Sequence, residues 1–129
     1  MRFMMLVKHP DKFAGPPPKA LMDAINKLTN DPNAAGVMVA AGGLAPVADT
    51  THVRVTRGDL KTIDGPYSEA KEVIGGFAIF DFKSKQAAIE SAQHFMDLHR
   101  IHWPGWEGET EVRQIFGPEE IPGCSANQK

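Results

Sequence analysis

The sequence predicts an α+β domain of ferredoxin-like type, a split β-α-β with a β-hairpin inserted after its second strand. Three observations carry that class. Apolar runs and periodicities follow one another in the order strand, helix, strand, hairpin, strand, helix, strand. The 129 residues, 42% hydrophobic and 23% charged, make room for one core and not for two. The first, second and penultimate strands are apolar on both alternating faces, whereas two helices can cover only one side of the sheet that they form.

Phe3 to Val7 reads as a strand buried on two sides, ended by Lys8-His9-Pro10-Asp11-Lys12. After Gly15 and three prolines, Leu21, Ile25 and Leu28 recur at spacings of four and three, with Met22 beside them, as one helical stripe. Pro18 suits the first turn of that helix, and Asp31-Pro32 its stop. Gly36-Val37-Met38-Val39-Ala40-Ala41 reads as a second buried strand, closed by Gly42-Gly43. Thr51 to Thr56 alternates His52, Arg54 and Thr56 with Val53 and Val55, and Leu60 to Ile63 follows after Gly58-Asp59. That is a hairpin with a Gly-containing two-residue turn, its polar face toward solvent or a site. Gly76 to Phe82 is again apolar on both faces, and Ser84 N-caps a helix to about Ile101. The stripe of this helix, Ala88, Ile89, Ala92, Phe95 and Met96, ends at His99. Trp103-Pro104-Gly105-Trp106 stops it, and Glu111 to Phe116 alternates as a last strand. The domain therefore spans residues 1–116, and residues 117–129, with Pro118, Pro122 and Gly123, form a tail.

An apolar sheet face without helices needs a cover. Face-to-face packing of two sheets in a homodimer is the simplest one; shorter strands under the Pro-rich loop or the tail are the other. The single cysteine, Cys124, can form neither an internal bridge nor a cysteine-based zinc site, which suits a reducing compartment. A formal net charge of -2 without a block of like charge argues against nucleic acid as a partner. Phe3 to Val7 is too short for a signal-peptide core, and the uncharged stretch Ala34 to Ala48 is below spanning length and broken by Gly36, Gly42, Gly43 and Pro46. A cytoplasmic protein without a membrane partner is the expectation.

At Asp64-Gly65-Pro66-Tyr67-Ser68-Glu69-Ala70-Lys71-Glu72-Val73-Ile74-Gly75-Gly76-Phe77 the sequence resembles the YCII-related family in its DGPF-domain branch. The signature joins an Asp-Gly-Pro-Phe turn to a Glu-x-Lys-Glu segment and a Gly-Gly-Phe strand start; Tyr67 stands here in place of the usual Phe. The similarity extends from the opening strand to Phe116. It implies a ferredoxin-like dimeric α/β barrel and little chemistry. A His and an Asp have been proposed as active-site residues in the wider family, and a related branch includes a dehydrochlorinase. Some members are encoded beside extracytoplasmic sigma factors, which implies a link to regulation.

The residues themselves offer candidate chemistry, each with a structural counterpart. His99 ends an apolar helical face and suits a general base near neutral pH, or a hydrogen-bonded edge of the core; His102, three residues on, fits a helix C-cap. Asp64 either orients His99 or is turn chemistry with Gly65-Pro66. Glu69 and Lys71 either fold over a cleft between the hairpin and the second helix or form a solvated face. Arg54 either meets an anion or pairs with a carboxylate. Trp103 and Trp106 either wall a pocket for a flat ligand or fill an interface. Gly75-Gly76 permits a close backbone approach or simply strand entry. His9 and His94 have no pattern around them and are expected in solvent. No metal set has a fixed geometry, and no nucleophile motif, phosphate loop or dinucleotide fingerprint is present. Two functions remain open. One is a cofactor-independent enzyme of isomerase or lyase type acting on a small cyclic or phenolic compound, with His99 and Asp64 as acid/base pair. The other is a non-catalytic metabolite-binding or regulatory module.

Overall fold

The computed structural model describes residues 1–13, 15–65 and 72–121. Strand β1 (Arg2–Pro10) is central and antiparallel to both of its neighbours, β5 (Glu72–Asp81) and β6 (Glu109–Ile115). Strand β2 (Val37–Gly43) adds to the far edge of β5, giving the order β2-β5-β1-β6. Helix α1 (Lys19–Thr29) joins β1 to β2, and helix α2 (Lys85–His102) joins β5 to β6. This is the ferredoxin-like arrangement that the sequence predicts. The inserted hairpin, β3 (Thr51–Thr56) and β4 (Asp59–Asp64), forms a two-stranded sheet of its own.

The core follows from alternation on β1. Phe3 and Met5 point to the helix side and are buried with Phe82, Ala88 and Ala92. The Phe3 and Phe82 rings meet edge to face, 6.2 Å apart at 61°. Small residues on α2 let the helix sit close to the sheet there. Its start is fixed by Ser84, whose Oγ accepts a hydrogen bond from the Ala87 amide at 3.1 Å. On α1 only Leu21 is fully buried.

The opposite face of the sheet carries Met4, Leu6, Phe77 and Ile79, all half-buried, because direct partners across the β1–β5 ladder share a side. Charged pairs rim it. Arg2 bonds Asp81 at 2.9 Å and Lys8 bonds Glu111 at 2.6 Å. Asp81 and Glu111 are each held below the ordinary carboxylate range, chiefly by these hydrogen bonds.

Two expectations need correction. The second strand is not buried: Val37 is 70% and Val39 46% exposed. It lies at the sheet edge, bonded only to β5, and an apolar run reads alike at an edge or at the centre of a sheet. The hairpin is turned the other way from its pattern. Val53, Val55 and Leu60 share one exposed face, while His52 and Arg54 are half-buried. Its turn falls on Arg57-Gly58, one residue earlier than expected. Both residues have positive φ, 53° and 81°, as a right-twisted two-residue hairpin requires. Among the described residues no helix is long and apolar enough to cross a membrane. Residues 122–129, Cys124 among them, lie outside the described residues.

Removing the Phe3 ring should cost about 3–5 kcal/mol, because it empties a fully buried contact between β1 and α2, whereas Ser84→Ala should cost about 1 kcal/mol. Urea unfolding of the two variants against the parent checks both. Equal, small losses would mean that the core does not sit at the Phe3–Phe82 contact.

Candidate functional site

The alternation that buries Phe3 and Met5 on β1 continues through Val7 to His9. At this end the sheet gives room for a cavity. The register between β1 and β5 shifts, Val7 facing Gly76 and Lys8 facing Ile74, so that Gly75 is the extra residue of a β-bulge. A Cβ at Gly75 would lie 2.7 Å from Nε2 of His9, so a side chain there would displace the imidazole that rests against the bulge. A Cβ at Gly76 would approach the Gly42 carbonyl to 3.1 Å, on the side of β2. The Gly-Gly pair thus serves an imidazole and an edge strand, beyond strand entry.

The other wall comes from the end of α2. His99 is 6% exposed, and its Nδ1 lies 3.0 Å from the carbonyl of Phe95, one turn back. A carbonyl can only accept, so Nδ1 carries the proton and Nε2 keeps the lone pair. The ring is held between Phe95, edge to face at 4.7 Å, and Trp106 at 4.6 Å. Burial lowers the His99 pKa below the ordinary 6.5, opposed by the hydrogen bond to Phe95, so the ring is neutral at pH 7.

Trp103 and Trp106 are brought together by a tight turn. The Trp106 amide donates to the Trp103 carbonyl at 3.0 Å, with Pro104 second and Gly105 third at φ 85°. The indoles stack 5.9 Å apart at 27°. Trp106 also faces His9, 6.4 Å between ring centres, and so stands between the two imidazoles. Val7, His9, Phe13, Leu21, Ile25, Gly75, His99 and both tryptophans line a cavity of about 180 Å³.

Of the residues singled out in the sequence, His99, Trp103 and Trp106 meet here. Asp64 does not line this cavity: it is exposed at the end of β4, where its carboxylate accepts a hydrogen bond from the Thr51 hydroxyl at 2.9 Å. Gly65 follows at φ 90°, the turn geometry expected of Asp-Gly. Arg54 lies half-buried on β3, opposite Lys61. Glu69 and Lys71 lie outside the described residues. His94 is exposed, whereas His9, expected in solvent, is half-buried in the cavity wall. Its signal was the alternation Phe3, Met5, Val7, His9, which the Lys8-Pro10 break obscured. Among the described residues no group of three His, Cys, Asp or Glu side chains is placed to hold a metal ion.

Comparison with curated proteins gives no match. The model of the YCII-related domain matches residues 1–95, which takes in β1 through the middle of α2 and includes His9 and the Gly75 bulge. The match covers well over half of the chain, and with the observed strand order it leads to one conclusion: this chain belongs to the YCII-related domain family.

Proposed function

We propose that the protein binds a small cyclic or phenolic compound beside His99 and transfers a proton on it, as an isomerase or lyase that needs no cofactor. The single observation that carries this reading is the state of His99: Nδ1–H committed to Phe95, Nε2 left with its lone pair, and the ring neutral through burial. Such a ring is a ready acceptor at neutral pH, but a weak base. It can take a proton only from a group that is itself acidified, such as a phenolic O–H or a C–H beside a conjugated carbonyl. Trp103 and Trp106 provide flat walls that favour a ring-shaped ligand. The sequence motif Asp64-Gly65-Pro66-Tyr67 followed by Gly75-Gly76 supports the DGPF-domain branch within the family.

A homodimer belongs to the same proposal. The open sheet face, with Met4, Leu6, Phe77 and Ile79 inside a charged rim, suits face-to-face packing with a second copy. In this reading Asp64 assists His99, Arg54 meets an anionic group, and Glu69 and Lys71, which lie outside the described residues, are ligand-binding residues. One observation favours the second reading, a binding or regulatory module without turnover: no Asp or Glu among the described residues lines the His99 cavity, so nothing there would stabilise an imidazolium.

The two readings separate on one substitution. Among small cyclic and phenolic acids, a compound that is turned over should lose about 100-fold or more in kcat with His99→Gln. Binding that survives with no turnover in either protein supports the module instead. His99 also predicts a pH dependence. Its folded pKa is depressed, so the stability tied to the neutral ring is full above the ordinary 6.5 and is lost as pH falls through the lower folded value. Urea midpoints measured between neutral and mildly acidic pH should fall less steeply for His99→Gln than for the parent; identical slopes would contradict the buried neutral ring. Light scattering after size exclusion should give twice the chain mass at micromolar concentration, and a clean monomer would overturn the dimer.

A further inference from the structure

A second, larger cavity adjoins the His99 cavity. It measures about 580 Å³ and lies between the two helices and the sheet. Met22 and Leu28 of α1, Phe95 of α2, Met5 of β1, Met38 of β2 and Phe80 of β5 supply its apolar walls. The space exists because small residues stand where larger ones would fill it: Ala41 and Gly42 on β2, Ala78 on β5, Ala87 and Ser91 on α2. Met22 and Met38 are left 40% and 39% exposed at its margins. The cavity is open to solvent at these margins, so apolar walls are left there without packing partners that a guest would supply. The volume lies within the range of about 300–1,000 Å³ that small molecules occupy. Three flexible thioethers among the walls can adapt to an apolar guest without specifying its shape.

The two cavities share Val7, Ile25 and Gly76 as walls. Gly76 adds no side chain of its own to that boundary, which is otherwise formed by Val7 and Ile25. One chamber is therefore short, aromatic and carries imidazoles; the next is larger and mainly aliphatic.

We infer that the ligand is amphipathic: a proton-bearing ring at His99 continues past Gly76 as a hydrocarbon tail in the larger chamber. This rests on the reading of the His99 cavity as the reactive site and extends it to a class of substrate, ring compounds with an apolar substituent. Polar groups of the tail end would meet Glu90, Ser91 and His94 of α2, which lie along the same chamber.

The probes are phenol and its 4-ethyl, 4-butyl and 4-hexyl derivatives, titrated into the full chain by calorimetry, with His99 and Trp106 followed by NMR. Affinity should rise about fourfold for each added methylene until the chamber is full, the gain expected for burying one CH2. Ser91→Leu, or Ala41→Leu on the exposed edge strand if the first fails to fold, should flatten the series while phenol still shifts the His99 resonances. If phenol shifts His99 but affinity does not depend on chain length, the tail chamber is wrong and the reading of His99 stands. If no member shifts His99, that reading fails and this inference with it. Length dependence that persists in the filled variants overturns the assignment of the tail to this chamber.

Discussion

The indole of Trp106 is the contact on which the site depends. A Cβ on residue 108 would collide with this ring and with the carbonyl of Lys8, so the indole rests on the Gly108 backbone just before β6. From that position it touches His99, Trp103 and His9. The end of α2 is thereby tied to the end of β1 by packing of rings, each such pair worth about 0.5–1.5 kcal/mol beyond the area it buries. The orientation of His99 is thus set by aromatic packing and one backbone carbonyl, with no carboxylate beside it among the described residues. That explains its electrostatic state: burial without a negative partner favours the neutral ring.

One strand serves two purposes along its length. Phe3 and Met5 pack the core at one end of β1, and Val7 and His9, two and four residues on, wall the cavity at the other. The change from core to cavity comes where Gly75 bulges from the β1–β5 ladder. Close packing is kept at the Phe3–Phe82 end and given up toward β2, where exposed edge residues and the larger chamber lie. A site made this way is preformed by the sheet, and its size is set by the small residues opposite α1 and α2.

The strand order, both helices and the Ser84 cap were legible in the sequence, because periodicity and capping are local signals. The meeting of His99 with Trp103 and Trp106 was legible too, since a helix end followed by Trp-Pro-Gly-Trp confines them. The exposure of β2 was not: Gly36 to Ala41 has the same apolar run in the middle or at the edge of a sheet. The hairpin inverted its pattern, since nothing in alternating Val and His or Arg states which face meets the body. His9 was missed because its partner, the Gly75 bulge, is distant in sequence and depends on register. Asp64 carries two readings in the sequence, turn residue or partner of His99; its bond from Thr51 and the φ of 90° at Gly65 show the turn, and the partnership with His99 belongs to the proposed function. Glu69 and Lys71 fall outside the described residues.

The central claim is that His99 is a neutral imidazole whose Nε2 holds the lone pair beside Trp106. Long-range proton–nitrogen correlation on uniformly labelled protein at pH 7 reads this directly. A protonated Nδ1 and a bare Nε2 are expected, with both nitrogens unchanged through neutral pH. A doubly protonated ring at pH 7, or a proton on Nε2 with Nδ1 bare, would contradict it.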